Sequence, residues 1–227
     1  MADGTFVNDA ALVAAKDLRL ELRSRVAVSQ VVPFAVLLLV IFGFALDGDQ
    51  TTLQRLTSGL YWVAVLFAAV LIVQRAFAVE SDDGVRDALR LAGMRPASVF
   101  VGKAGAIFVQ LIVLEVLLGV GVAVFFGTTL TGWGLLIASA VVAAAGISAA
   151  GTLYGVLTAG LRVKESLLPM LLLPVLAPVL IGATRAMGAA LGDVAVDGWS
   201  WFNFLAIFAL IYVALGLFAF GPLLEES

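Results

Sequence analysis

Residues 116–161 read VLLGVGVAVFFGTTLTGWGLLIASAVVAAAGISAAGTLYGVLTAGL and hold no Asp, Glu, Lys or Arg, and how this stretch divides decides the fold. As a single helix it would run roughly 70 Å at about 1.5 Å per residue, more than twice a hydrocarbon core of about 30 Å. Residues 127–134, GTTLTGWG, break it with a polar turn carrying Trp133, a side chain suited to a membrane–water interface. Two apolar helices joined by a tight hairpin follow, each lacking the polar face that water would demand.

Composition agrees with lipid as the solvent. Of 227 residues, 63% are hydrophobic and 13% charged, with a mean hydropathy of +1.13, against roughly 45–50% apolar and 25% charged in soluble domains. Too few polar side chains remain to cover a water-facing surface. Six stretches reach spanning length: 26–46, 56–74, 99–126, 134–159, 166–187 and 201–222. The expected fold is an all-α integral membrane protein of about six transmembrane helices. A cytoplasmic N-terminal segment (1–25) precedes a six-helix domain (26–222), and a short tail (223–227) follows.

Orientation follows from Lys and Arg, which collect on cytoplasmic flanks. They crowd the leading segment (Lys16, Arg19, Arg23, Arg25), the link between the second and third spans (Arg75, Arg86, Arg90, Arg95, Lys103) and the link with Arg162 and Lys164. The alternate links hold Arg55 and Arg185. Both termini are therefore expected inside, N-in/C-in, with Trp199 and Trp201 in an aromatic belt at the outer start of the last span. No secretory signal is expected, since Asp3, Asp9, Asp17 and Glu21 precede the first apolar run and no A-x-A-like cleavage site follows it.

The chain has neither Cys nor His. That removes disulfides, zinc clusters, thiol nucleophiles and the commonest general base, so no catalytic residue and no metal ligand is assigned. A net charge of -3 gives no reason to expect nucleic acid.

Two segments outside the spans show helical periodicity. Residues 13–25, VAAKDLRLELRSR, put Ala14, Leu18 and Leu22 on one face and are expected to lie flat on the inner membrane surface, in contact with lipid. Residues 80–103, ESDDGVRDALRLAGMRPASVFVGK, read as a short helix between two spans. Asp82 or Asp83 can cap it, Val85, Ala88, Leu89 and Ala92 form its apolar stripe, Arg86 and Arg90 face away, and Gly93 and Pro96 end it. Such a helix can transmit movement from a docked cytoplasmic protein; a solvated loop held inside by its arginines fits the periodicity equally well.

The leading KDLRLELRSR, the segment GLYWVAVLFAAVLIVQRAFAVESDDGVRDALRLAG, Lys103, and LLPMLLLPVLAPVLIGATRA together resemble the haem exporter protein B (CcmB) family. The resemblance runs from Lys16 to the end of the sixth span. It implies the permease subunit of an ABC-type complex of the bacterial cytoplasmic (inner) membrane that couples ATP hydrolysis to haem delivery for cytochrome c maturation. Implied partners are a cytoplasmic CcmA-like ATPase, a CcmC-like haem-handling membrane subunit, a small CcmD-like helper and a second copy of the chain. The family's coupling element would fall within the 80–98 link on Glu80, Asp82, Asp83, Gly84, Val85, Asp87, Leu89 and Leu91, beside Arg86 and Arg90. ATP would bind the partner, because the only Gly-Lys pair, Gly102–Lys103, lacks a Walker A context. Haem would be a ligand of the complex. Met94, Met170 and Met187 are treated as packing residues, and no haem ligand is assigned.

Within the spans, Glu115 and Arg185 lie at matching depths, about 24 and 28 Å from the inner ends of their helices, and are expected to face protein or water and to form a structural ion pair. Pro169, Pro174 and Pro178 are expected to kink the fifth span. Gly151 and Gly155 form a G-x-x-x-G suited to close helix packing, within the subunit or between copies. The rival readings are a type-2 ABC permease for a lipid, polysaccharide or drug, and a membrane assembly factor that transports nothing.

Overall fold

The computed structural model describes residues 3–24, 27–46, 49–82, 94–159 and 164–226, nearly all of them helical. In chain order the elements are α1 (Asp3–Ser24), a π-helical turn (Ala27–Val31) running into α2 (Val32–Ala45), α3 (Gln50–Asp82), α4 (Pro96–Phe125), α5 (Trp133–Ala159), α6 (Lys164–Leu191) and α7 (Gly198–Glu226).

Five segments are long and apolar enough to cross a membrane: Gln50–Ala78, Pro96–Phe125, Trp133–Thr158, Ser166–Leu191 and Gly198–Leu223. Of the expected first span, the described residues include a shorter apolar helical part, Ser29–Ala45, about 25 Å at 1.5 Å per residue. Among the described residues, five of the six expected stretches reach full spanning length.

Helix ends are set by local chemistry. Asp49 precedes α3, and its carboxylate accepts hydrogen bonds from the Thr51 amide (3.2 Å) and from the hydroxyls of Thr51 (2.7 Å) and Thr52 (2.6 Å). Asp197 precedes α7 in the same way, accepting from the Trp199 amide (3.1 Å) and the Ser200 hydroxyl (2.6 Å). These bonds hold both carboxyls below the usual Asp range. The hairpin between α4 and α5 turns through Gly127 (φ 63°) and Gly132 (φ 57°), where a side chain would strain the backbone.

That hairpin is tied to two other helices. Gln54 Nε2 donates to the Gly127 carbonyl (3.0 Å), the Thr57 and Thr128 hydroxyls share a bond of 2.8 Å, and the Thr131 hydroxyl donates to the Ala190 carbonyl (3.0 Å). The start of α3, the α4–α5 turn and the end of α6 thus share one end of the bundle. At the other end Phe100 of α4 packs against Phe220 of α7, ring centroids 5.6 Å apart.

At the centre, α5 packs along α6 and α7, and α3 lies against α4, α5 and α6. A Cβ at Gly151 would meet Val73 of α3, and one at Gly155 would overlap the Phe77 ring. The G-x-x-x-G stripe therefore seats α3 against α5 within one chain. Pro169, Pro174 and Pro178 all lie inside α6, which continues as one helix through them.

Candidate functional site

The chemistry that stands out lies where α1 crosses the spans. Lys103, one turn into the apolar part of α4, is 2% exposed. A bare ammonium there would be costly, and among the described residues three groups answer it. Its Nζ donates to Asp17 Oδ2 of α1 (3.4 Å) and to the Ala76 carbonyl of α3 (3.2 Å), and it sits 4.6 Å from the centroid of the Phe77 ring. One helical turn further along α1, Glu21 accepts from Arg75 Nε at 3.0 Å. Lys16 meets the free side of the Asp17 carboxylate at 2.8 Å.

The spacing explains the clamp. Val13, Asp17 and Glu21 recur at four-residue intervals and share one face of α1. Val13 is buried, and a Cβ on Gly102 would collide with Val13 and the Ala10 carbonyl, so the glycine next to Lys103 lets α1 approach closely enough for its acids to reach Lys103 and Arg75. The helix begins ten residues earlier than its periodicity suggested, it docks through Ala10, Val13, Asp17 and Glu21, and Leu22 is 76% exposed.

Arg75 and Lys103 flank the link that carries the expected coupling element. Glu80 and Asp82 belong to the end of α3. Asp83, Gly84, Val85, Arg86, Asp87, Leu89, Arg90 and Leu91 lie outside the described residues.

Glu115 and Arg185 are not brought together. Glu115 is 3% exposed, and both of its carboxyl oxygens are buried without a hydrogen-bond partner. Arg185 is exposed on a different cleft, between α3 and α6, lined also by Ser58, Thr184 and Val194. Neither enters an ion pair among the described residues. Instead the Tyr61 hydroxyl donates to the Glu115 backbone carbonyl (2.9 Å), leaving the carboxyl beside a cavity of about 290 Å³ between α4 and α5. Sequence reasoning missed that cavity, whose wall includes Tyr61, Trp62, Trp133 and Met187 from three different helices. It treated Asp17, Glu21 and Arg75 as flanking charges, although the i, i+4 acids of α1 were a readable signal.

Among the described residues no group of three or more carboxylates lies close enough together to hold a metal ion. Met170 is exposed and Met187 buried in the cavity wall.

The sequence matches the family described as CcmB protein over residues 9–227. It is 28% identical to Heme exporter protein B of Paracoccus denitrificans over 93% of this chain and 96% of the relative. Identity is 30% to the Rhodobacter capsulatus protein of that name, over 73% and 76% of the two chains. Heme exporter protein B of Pseudomonas aeruginosa is 27% identical over 92% of each.

Proposed function

Because this chain belongs to the CcmB protein family, we propose that it is the multi-pass permease subunit of a haem exporter of the bacterial inner membrane, serving cytochrome c maturation. Similarity to Heme exporter protein B along nearly the whole length carries this reading. The chain is a transporter subunit and not itself an enzyme. ATP is hydrolysed by a CcmA-like partner, haem is handled with a CcmC-like membrane subunit and a CcmD-like helper, and two copies of this chain sit over two ATPases.

Six crossings, N-in and C-in, complete the proposal. Support comes from α1, which is fixed by Asp17 to Lys103 near the start of α4, whereas α3 starts beside the α4–α5 turn at the far end of α4. The intervening chain must travel that distance, and Leu39 of α2 lies against Gly121 on the way. From Lys103 to Gly121 is about 27 Å along α4. A short α2 therefore works as a crossing by joining anchored ends.

In the mechanism this suggests, the ATPase pushes on the 80–98 link, and α3 and α4 move with α1 because Lys103 and Arg75 bind all three together. Elements joined by buried polar contacts shift as a unit, which is what transmission through a bilayer needs.

The test is purification of the tagged chain under mild detergent with identification of its companions. Co-purification of an ATPase and a haem-bearing membrane protein is expected; an ATPase with no haem protein would point to an exporter of other cargo. Since the chain has no Cys, single cysteines at Gly84 and Thr129 report sidedness cleanly. Gly84→Cys should resist a membrane-impermeant maleimide in spheroplasts and Thr129→Cys should react, and the reverse result would overturn the orientation. Reversing Arg86 and Arg90 together should uncouple ATP hydrolysis from cytochrome yield.

A further inference from the structure

The cleft between α3 and α6 plays no part in the proposed transport role. At about 380 Å³ it falls within the roughly 300–1,000 Å³ of small-molecule sites. Gly59 and Val63 of α3 and Leu180 and Ile181 of α6 make most of its wall apolar, and Ser58 and Thr184 add hydroxyls. Gly59 keeps it open, since a Cβ there would meet nothing within 4 Å. Ile181, 55% exposed, puts the mouth on the outer surface of the bundle, between two stretches of membrane-spanning length.

Arg185 brings the charge. It is exposed, no acid lines the cleft beside it, and among the described residues it has no ion pair and no side-chain hydrogen bond. Arg55, also exposed, stands four residues before Gly59, one turn nearer the start of α3 on the same face. The start of α3 and the end of α6 share one end of the bundle, because the α4–α5 turn is bonded to Gln54, Thr57 and Ala190. Depth follows from length. Ser166–Leu191 is about 39 Å long against a hydrocarbon core of about 30 Å, which leaves its final residues in the headgroup layer. Arg185, about 9 Å from Leu191, stands just inside that boundary, from where an arginine extends its head to the phosphates.

We propose that this cleft binds a membrane phospholipid, with Arg185 holding the phosphodiester and Gly59, Val63, Leu180 and Ile181 receiving the first part of an acyl chain. The chemistry selects that ligand. A guanidinium offers forked N–H donors and no acceptor, so it matches two oxygens of a phosphate and rejects an ammonium. The hydroxyls of Ser58 and Thr184 belong to the same cleft and can donate to headgroup oxygens. A free inorganic anion would leave the apolar wall uncovered, and a neutral lipid would leave Arg185 unpaired in the bilayer, which is costly. Phosphate is also the anion that a bilayer supplies at this depth. Arg55, one turn away along α3, adds a second positive charge and favours headgroups of net negative charge.

The experiment uses the intact complex in a maltoside detergent, which carries no phosphate. The probes are phosphatidylglycerol with a diazirine high on one acyl chain and a diacylglycerol with the same group. After illumination, peptides covering residues 56–65 and 178–188 should carry the phospholipid saturably, at least fivefold above the diacylglycerol, with unlabelled phosphatidylglycerol competing. Arg185→Gln should bring labelling down to the diacylglycerol level. Arg185→Lys should lose severalfold, because an ammonium lacks the fork that grips two oxygens. Gly59→Leu should fill the cleft and lower labelling at least fivefold while the melting temperature stays within a few degrees. Equal labelling by the two probes, or full labelling in Arg185→Gln or Gly59→Leu, would overturn the proposal. So would displacement by millimolar inorganic phosphate, which would mark a site for free anions, or by micromolar haem, which would mark a cargo site. The wild-type comparison of the two probes stands even if a variant folds poorly. The labelling itself needs neither haem nor ATP, so its outcome is separate from that of the transport assignment.

Discussion

Lys103 of α4 and Asp17 of α1, 86 positions apart in the chain, meet at 3.4 Å with the ammonium nearly sealed from solvent. Their contact makes the amphipathic N-terminal helix part of the bundle. Breaking one side of a buried pair leaves the other charge uncompensated, a loss on the order of 3 kcal/mol, whereas replacing both with apolar residues is often nearly neutral. Asp17→Asn and Lys103→Met are therefore each expected to lower the apparent melting temperature in detergent and to speed proteolytic removal of α1. The double replacement Asp17→Leu with Lys103→Met should recover much of the loss. Additive losses would show that the two residues act apart.

Gly155 and Phe77 set the distance between α5 and α3. A Cβ at that glycine overlaps the ring, so Gly155→Leu is expected to destabilise the chain by about 1–3 kcal/mol, the usual range for overpacking. Phe77→Ala should partly rescue it by vacating the space, a coupling that a double-mutant cycle measures directly. The same ring lies beside Lys103, so rescue in packing should come with a weaker hold on α1.

How much of this was readable beforehand depends on which physical variable carried the signal. The Gly127–Gly132 turn and the five long spans came straight from hydropathy and turn chemistry, which act locally along the chain. Glu115 and Arg185 show the opposite case: equal depth is a one-dimensional property, but pairing depends on the direction each side chain takes around its helix, and at about 100° per residue that direction is fixed only by packing. On α1 the apolar stripe Ala14–Leu18–Leu22 was the obvious face, yet the docked face is set by Asp17 and Glu21, whose partners lie more than fifty residues away.

Since Glu115 and Arg185 occupy different clefts, exchanging their charges should not help. Glu115→Arg and Arg185→Glu are expected to show independent effects on melting temperature, with a coupling energy inside the roughly 0.5 kcal/mol scatter of unrelated sites. Rescue by the double swap would contradict the observed geometry.

Acid should weaken the two capped helix starts. Folding lowers the pKa of Asp49 and of Asp197 through the hydrogen bonds each carboxylate accepts. Their contribution is complete above the unfolded Asp value of about 4 and fades as pH falls through the lower folded values. Apparent melting temperature should therefore hold steady from about pH 7 to 5 and drop below about 4. Asn caps a helix nearly as well as Asp but has no proton to gain there. Asp49→Asn with Asp197→Asn should therefore match the wild type near neutrality and show a shallower acid decline. An unchanged acid limb in that variant would show that the two caps do not carry the loss.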